Sequence, residues 1–391
     1  MGIQVMKVLL IRDFYSEQKN KFEKAVEKEK IFNPEKIKQI ANELIFDIQR
    51  AISVYLADEF EVIDIFSNCE KVQKKWEKDF FPSTPSFISK TLRKIKPAVS
   101  LDFYSQEDFY RILLKQVVFY SPEVIIVFPS EFISSELIKV IKEKTKIKVI
   151  GYHGATPRKI DFSVYDAFFS PFLPTVLKAK AGRTKAEYIP LAFEPAILEK
   201  LKEKYELKKE KSKQNQEDEK IFDVVFIGSF HMVHSSRKKL IEEISKDRYF
   251  DDKLHIFSQS HYAISENLRK FYRGKAFGLE YYFIISKSKI VINHHGDILP
   301  WAHNLRLFET TGIGSFLITD NLPNISELFL PKKEIETFSD IQECIRKIKF
   351  YLENEDKRKE IAKSGQMRTL KEHTYEKRTK EYKRIIREIT G

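Results

Sequence analysis

At 391 residues the chain exceeds one ordinary core and fits two domains of roughly 150–200 residues each. Hydrophobic residues at 42%, with 32 Phe and 17 Tyr, supply apolar surface for two cores and exclude a disordered or fibrous chain. The formal charge of +12 favours an anionic partner, whether a nucleotide diphosphate, nucleic acid or an acidic membrane face; Cys69 and Cys344 alone exclude a disulfide framework and fit a reducing, cytoplasmic setting.

The opening MGIQVMKVLLIRDF meets charge too early for a signal peptide, and no run approaches the roughly 18 apolar residues of a membrane span, so a soluble or surface-bound protein is expected. Short β-branched runs at 7–11 (KVLLI), 61–65 (EVIDI), 123–128 (EVIIVF) and 147–152 (IKVIGY) predict buried parallel strands. Between the first two, Ile37, Ile40, Ala41, Leu44, Ile45, Ile48, Ala51, Ile52 and Tyr55 keep a 3/4 spacing that predicts one buried helix face from Glu35 to Phe60. Ser105, with Asp108 three residues on, predicts another helix start. From Lys71 to Lys96, Lys and Arg are mixed with Trp76, Phe80, Phe81 and Phe87, a composition suited to peripheral contact with an anionic membrane or equally to an ordinary loop and helix.

The segment 199–220 is almost devoid of apolar side chains, so residues 198–222 read as a charged linker or insertion after a first domain of residues 1–197. Strand patterns resume at 223–228 (DVVFIG), 253–257 (KLHIF), 289–294 (KIVINH) and 315–319 (SFLIT), which outlines a second domain over 223–375. Ser339 and Gln342 form a capping-box pattern ahead of Ile341, Ile345, Ile348 and Leu352, and residues 376–391 read as a charged helix that returns toward the first domain. Strands alternating with helices predict an α/β fold whose parallel sheets open a ligand crevice at their carboxyl ends.

The chain contains no GxxxxGK[ST] loop, GxGxxG after a strand, HExxH, paired CxxC, GxSxG or Asp-x-Asp. A bound anion is therefore expected to be neutralised by protein groups, with no metal ligands assigned. Nucleic acid is disfavoured as a partner because no reader motif is present. The run from Ile292 to Phe329 joins a strand, a loop rich in His, Asp and Asn, a helix beginning near Leu305, a Gly-x-Gly turn at Gly312 and Gly314, and a further strand. Glu309 falls on the early turns of that helix, where a carboxylate can accept two ribose hydroxyls, and the helix N-terminus favours a phosphate. His294 and His295 close the preceding strand, where a neutral imidazole can bond a sugar or phosphate oxygen. His231 and His234 read as an exposed loop, despite the spacing of half a zinc site. In the first half, His153 just past a strand end and Asp13 after the first strand are the catalytic candidates, either as general base toward an acceptor hydroxyl or, for His153, as a hydrogen-bond partner of the transferred sugar.

The pattern N-x-R-x-F-E-x-x-x-x-G-x-x-x-x-T-D, carried by Asn304, Arg306, Phe308, Glu309, Gly314, Thr319 and Asp320, resembles the donor-binding motif of group 1 glycosyltransferases, in particular the branch related to the spore-maturation protein CgeB. The likeness continues through LPNISELF and back to DVVFIGSF, covers roughly the last 170 residues, and is weaker in the first half, at His153 to Gly154 and Tyr188 to Pro195. It implies the GT-B architecture, two Rossmann-like domains facing across a cleft, with the acceptor on the first and the nucleotide sugar on the second. It implies that Glu309 binds the ribose, that Gly228 and Ser229 approach the diphosphate, and that Arg237 or Lys238 supplies positive charge, with Arg306, Asn304, Thr311 and Gly312 completing the donor site.

The implied reaction moves a sugar from a nucleoside-diphosphate sugar to a hydroxyl of a glycan, lipid or protein, with no cofactor. Retention is slightly favoured over inversion, yet Trp301 stands eight residues before Glu309, where many retaining relatives carry the first Glu of a Glu-x7-Glu pair, and Asp297 is the nearest substitute. The alternatives are a nucleotide-sugar epimerase of GT-B-like fold and a non-enzymatic basic binding protein.

Overall fold

The computed structural model describes residues 5–44, 46–93, 95, 106–130, 133–154, 160–206, 220–230, 235–259, 261–297 and 300–391. The chain divides into two compact units, Met1–Pro190 with Glu376–Gly391, and Leu191–Tyr375. The first contains β1 (Lys7–Arg12), α1 (Ser16–Val26), α2 (Pro34–Leu44), α3 (Ile48–Leu56), β2 (Glu61–Phe66), α4 (Glu70–Phe80), α5 (Ser86–Leu92), α6 (Gln106–Tyr120), β3 (Val124–Val127), α7 (Ser135–Lys144), β4 (Lys148–Tyr152), β5 (Ala167–Ser170), α8 (Leu173–Ala181) and β6 (Lys185–Tyr188). The second contains α9 (Ala196–Glu206), β7 (Phe222–Ile227), α10 (Ser235–Lys246), β8 (Leu254–Phe257), β9 (Tyr272–Gly274), α11 (Gly278–Ser286), β10 (Ser288–Ile292), α12 (Leu305–Ile313), β11 (Phe316–Asp320), α13 (Ile325–Leu328), β12 (Glu336–Phe338), α14 (Ile341–Glu353) and α15 (Glu355–Glu372). A last helix, α16 (Tyr375–Thr390), buries Tyr382, Ile385 and Ile386 in the first unit's core.

Each unit holds one parallel six-stranded sheet, ordered β2-β1-β3-β4-β5-β6 and β12-β11-β10-β7-β8-β9. Both faces of each sheet are covered, as parallel sheets require. In β1, Leu9 and Ile11 pack with Ile37 and Ala41 of α2, whereas Val8 and Leu10 pack with Ile52 and Leu56 of α3. This explains why the continuous apolar stripe from 35 to 60 forms two helices and not one. The helices serve opposite faces of the sheet, and Asp47 starts the second by accepting the Arg50 N–H at 2.7 Å. The strands that the sequence patterns miss, β5, β6, β9 and β12, have only three or four residues, and the three at sheet edges carry charged residues that edges tolerate.

One local expectation is corrected, and over its described residues the segment 71–96 follows the loop-and-helix reading. The cap of α14 is Asp340, which accepts the Glu343 N–H at 2.8 Å, in place of a Ser339/Gln342 box. In the aromatic and basic segment 71–96, Trp76 is 1% exposed and donates to the Tyr120 hydroxyl, while Phe80 and Phe81 pack against the same core. Of the aromatics read as membrane-facing, only Phe87 is exposed. No helix among the described residues is long and apolar enough to cross a membrane.

Candidate functional site

In the second unit the chain starts at β7, builds outward through β8 and β9, and returns to place β10 on the other side of β7. The loops after β7 and β10 therefore diverge, and such a switch point is where open α/β sheets take ligands. Gly228 and Ser229 follow β7, and Asn293 to Asp297 follow β10. A Cβ at Gly228 would stand 2.8 Å from the Phe226 ring, so the close packing of that ring requires glycine here, with Arg306 Nη1 in ordinary contact at 3.5 Å.

Arg237, on α10, stitches the two loops together. Its Nη1 donates to the Ser229 carbonyl at 3.1 Å and its Nη2 to the His294 carbonyl at 2.8 Å. Burial, with the Arg306 charge adding to it, brings its pKa down to about 10, which leaves it protonated at neutral pH. Arg237 thus contributes positive charge from a buried position, with part of its donor set already used. Lys238 is half-buried beside it, whereas Lys239, which sequence reasoning passed over, lines a recess of ≈ 410 Å³ with Ser236, His294, Asp320, Asn321 and Asp340.

Glu309 is held from below by α11. Tyr281 Oη donates to one carboxylate oxygen at 2.5 Å and Tyr282 Oη to the other at 3.0 Å. Burial raises its pKa, while the Tyr281 hydrogen bond, the Arg306 charge and the Tyr282 hydrogen bond pull the other way. A carboxylate has about four lone-pair sites, so each oxygen keeps capacity for one further donor. Arg306 lies over the Tyr281 ring at 5.7 Å, and its Nε is buried with no hydrogen-bond partner among the described residues. The tyrosine pair was missed in the sequence, where the adjacent Tyr281 and Tyr282 carry no motif.

The two histidines differ. His294 is half-buried and accepts the Gly296 N–H at its Nδ1, 3.0 Å away; burial lowers its pKa, so the neutral ring carries its proton on Nε2. His295 is buried, with Nδ1 2.7 Å from Asp320 and Nε2 without a partner among the described residues. Burial pushes the Asp320 carboxyl up, but the bond and charge of His295, with His294 and Thr319, hold it below the usual range.

Several residues that the resemblance assigns to the donor also have structural partners. Asn304 caps α12 by accepting the Leu307 N–H and exchanges amide bonds with Asn293 at 2.8 and 3.2 Å, which occupies its carbonyl and amide. Thr311 is buried with its hydroxyl 2.7 Å from that of Thr369 on α15. Gly312 lies inside α12, where a Cβ would come within 2.3 Å of the Phe193 ring. Asp297, the nearest substitute for the first Glu, caps α10: Ser235 Oγ and Ser236 N–H donate to one of its oxygens at 2.8 and 2.9 Å. Burial pushes its pKa up, but those bonds and the His294 charge hold it down to about 2. Trp301 is half-buried with its indole N–H unpartnered. His231 and His234 lie outside the described residues. Among the described residues no group of three or more His, Cys, Asp or Glu is placed to hold a metal ion.

The architecture just described, two doubly wound parallel sheets, recurs along the whole length of solved proteins. The chain is similar to sucrose-phosphate synthase from Thermosynechococcus elongatus at a TM-score of 0.60 and 9% identity, covering 98% of this chain and 99% of that one. It is similar to a glycosyltransferase from Rickettsia africae (TM-score 0.57, 12% identity, 99% of both chains) and to the UDP-GlcNAc 2-epimerase from Neisseria meningitidis bound to UDP-GlcNAc (0.52, 11%, 98% and 100%). The fold is GT-B. Residues 237–384, which include Arg306 and Glu309, match the glycosyl transferase-like family. No curated protein matches the chain. At these identities the GT-B likeness speaks for the fold, and the chemistry rests on the site.

In the GT-B frame the first unit presents its own carboxyl edge. Its switch point lies between β1 and β3. Asp13 follows β1 directly, and its pKa is pushed up to about 6 by burial, against the opposing hydrogen bond from Gln49. His153 follows β4 and is 8% exposed, with its carbonyl accepting the Ser170 hydroxyl at 2.7 Å.

Proposed function

We propose that the protein transfers a glycosyl group from a nucleoside-diphosphate sugar held by the second unit to a hydroxyl of a glycan, lipid-linked or protein acceptor engaged by the first, with no essential metal. The observation that carries this reading is Glu309: a carboxylate at the switch point, oriented by Tyr281 and Tyr282 and with lone pairs to spare, beside a guanidinium whose Nε lacks a partner. A ribose offers two hydroxyl donors to the first group, and a diphosphate offers acceptor oxygens to the second. Catalysis would then rest on positioning and on stabilising the departing diphosphate by Arg306, the Arg237 charge and backbone N–H groups. The glycosyl transferase-like match over 237–384 supports the reading, as does the motif's resemblance to the CgeB-related branch. Buried, unpaired Cys69 and Cys344 are in keeping with action in the cytoplasm, with Phe87 as the remaining aromatic for any peripheral contact at the inner membrane face.

The test is thermal denaturation with UDP, GDP, dTDP, ADP and CMP in turn, since a ligand that binds only the folded chain raises its melting temperature. At least one nucleotide is expected to do so, and Glu309→Ala is expected to abolish both that shift and sugar transfer. No shift with any nucleotide, together with unchanged transfer by the variant, sinks the proposal. The fold likeness to an epimerase favours one second reading, which predicts donor consumption without any acceptor.

A further inference from the structure

The recess of ≈ 410 Å³ lies wholly within the second unit, at the carboxyl ends of β11 and β12 and between the first turns of α10 and α14. Helices α10 and α14 cover the sheet face to which β10 turns Ile290 and Ile292, whereas α11 and the end of α12 cover the face of Val291. The recess and the Glu309–tyrosine cluster thus sit over opposite faces of one sheet, and neither Glu309 nor its tyrosines line it. Its acceptors are two carboxylates. Asp320 Oδ1 takes the His295 ring and the Thr319 hydroxyl at 2.7 and 3.0 Å, while Oδ2 has only the His295 backbone N–H at 3.3 Å. Asp340 spends one oxygen on the Glu343 N–H at 2.8 Å. The donors are Lys239, which makes no ion pair among the described residues, and His294, whose Nδ1 is taken by the Gly296 N–H and whose Nε2–H is left to give. Leu240 and Phe338 add apolar wall. Two carboxylates against one ammonium repel a phosphate. No group of three metal-ligating side chains among the described residues would hold a cation. Hydroxyls, which both give and accept, match such a mixed lining, and the volume is that of a small-ligand pocket.

Resting on the glycosyl-transfer reading, we propose that this recess seats the transferred sugar, that the sugar is uncharged, and that Asp320 and Lys239 select it. Arg237 ties the loop after β7 to the His294 carbonyl, and the recess begins at the neighbours of that tie, Ser236 on α10 and the His294 side chain. A diphosphate held at the Arg237 charge has its nucleoside end toward Glu309 and its glycosyl end at the mouth of the recess. Sugar hydroxyls then donate to Asp320 Oδ2 and Asp340 and accept from Lys239 and His294 Nε2. Asp320 suits the reading of a hydroxyl because it ends a strand and rests on the His295 ring, whose side chain is fully buried, so little freedom is lost when a ligand binds. A sugar bearing its own carboxylate would bring a third negative charge to a recess that holds one ammonium.

The experiment is titration calorimetry of the full chain with UDP, GDP, dTDP and ADP, each free and as its glucose, mannose and glucuronic acid conjugates. With the base that binds, wild type is expected to hold a neutral conjugate at least about fivefold more tightly than the glucuronic acid conjugate. K239A removes the ammonium and N321W puts a large ring at the edge of the recess; both replace exposed side chains, so the fold is not at stake. Each is expected to weaken the neutral conjugate at least about fivefold while changing the affinity for the free diphosphate less than about twofold, and D320N to do the same. Should D320N fail to fold, K239A and N321W decide. A smaller loss of the neutral conjugate in both, an equal loss of the free diphosphate, or a glucuronic acid conjugate bound as tightly as the neutral ones overturns the proposal. If wild type binds none of these ligands, the glycosyl-transfer reading falls and takes this one with it. If wild type binds them and the variants match it, only the assignment of the recess falls.

Discussion

Replacing Glu309 by Gln keeps the size of the side chain and removes its charge, so it separates the carboxylate's role in binding from its role in packing. In wild type each carboxylate oxygen accepts one tyrosine hydroxyl and keeps lone-pair capacity for one more donor, which the proposed reading gives to a ribose hydroxyl. A hydrogen bond to a charged group contributes about 1.5–3 kcal/mol and a neutral one about 0.5–1.5 kcal/mol. Gln can accept at its carbonyl only, so one ribose bond is lost and the other is weakened. The expected loss is about 2–4 kcal/mol, or roughly 30- to 1000-fold in dissociation constant. Stability should change little, because burial already raises the Glu309 pKa and its removal as a charge relieves that cost, offsetting the weakened tyrosine bonds. Titration calorimetry with the nucleotide that stabilises wild type gives the affinity, and the 2′-deoxynucleotide completes the cycle. For the deoxy ligand the penalty of E309Q should shrink by about half on the logarithmic scale. Equal binding of the ribonucleotide by wild type and E309Q, or an undiminished penalty with the deoxy ligand, would refute the assignment of this carboxylate to the ribose.

Three further outcomes follow from the same geometry. Y281F/Y282F removes the bonds that lower the Glu309 pKa, so nucleotide binding, which needs the carboxylate and weakens as pH falls through its pKa, should weaken at a higher pH than in wild type; calorimetry across pH 5–8 checks this. Gly312→Ala forces a Cβ against the Phe193 ring and should destabilise the second unit by about 1–3 kcal/mol in urea denaturation, less when combined with F193A. Asp297→Ala removes the cap of α10 and should cost about 1 kcal/mol at pH 7. Because that carboxyl is depressed to about 2, its contribution is complete above the usual carboxylate range and lost as pH falls through about 2, so wild type and variant should converge in acid.

The parts of the fold that were legible in the sequence are those dictated by burial on both faces. Runs such as KVLLI and DVVFIG have no polar side to betray a different period, and their spacing with helices implies parallel sheets. What the sequence hid was direction. The stripe from Ile37 to Tyr55 looks like one helix because periodicity says which residues are buried but not against which face of a sheet. The site shows the same division. Glu309 and Arg306 were found because a motif fixes their spacing, whereas Tyr281 and Tyr282 arrive from a preceding helix and nothing local ties them to the carboxylate. Asn304 belongs to the motif while Thr311 and Gly312 stand at its unspecified positions, and the side chains of the first two and the lack of one in the third serve the cap and the packing of α12, which spacing alone does not reveal.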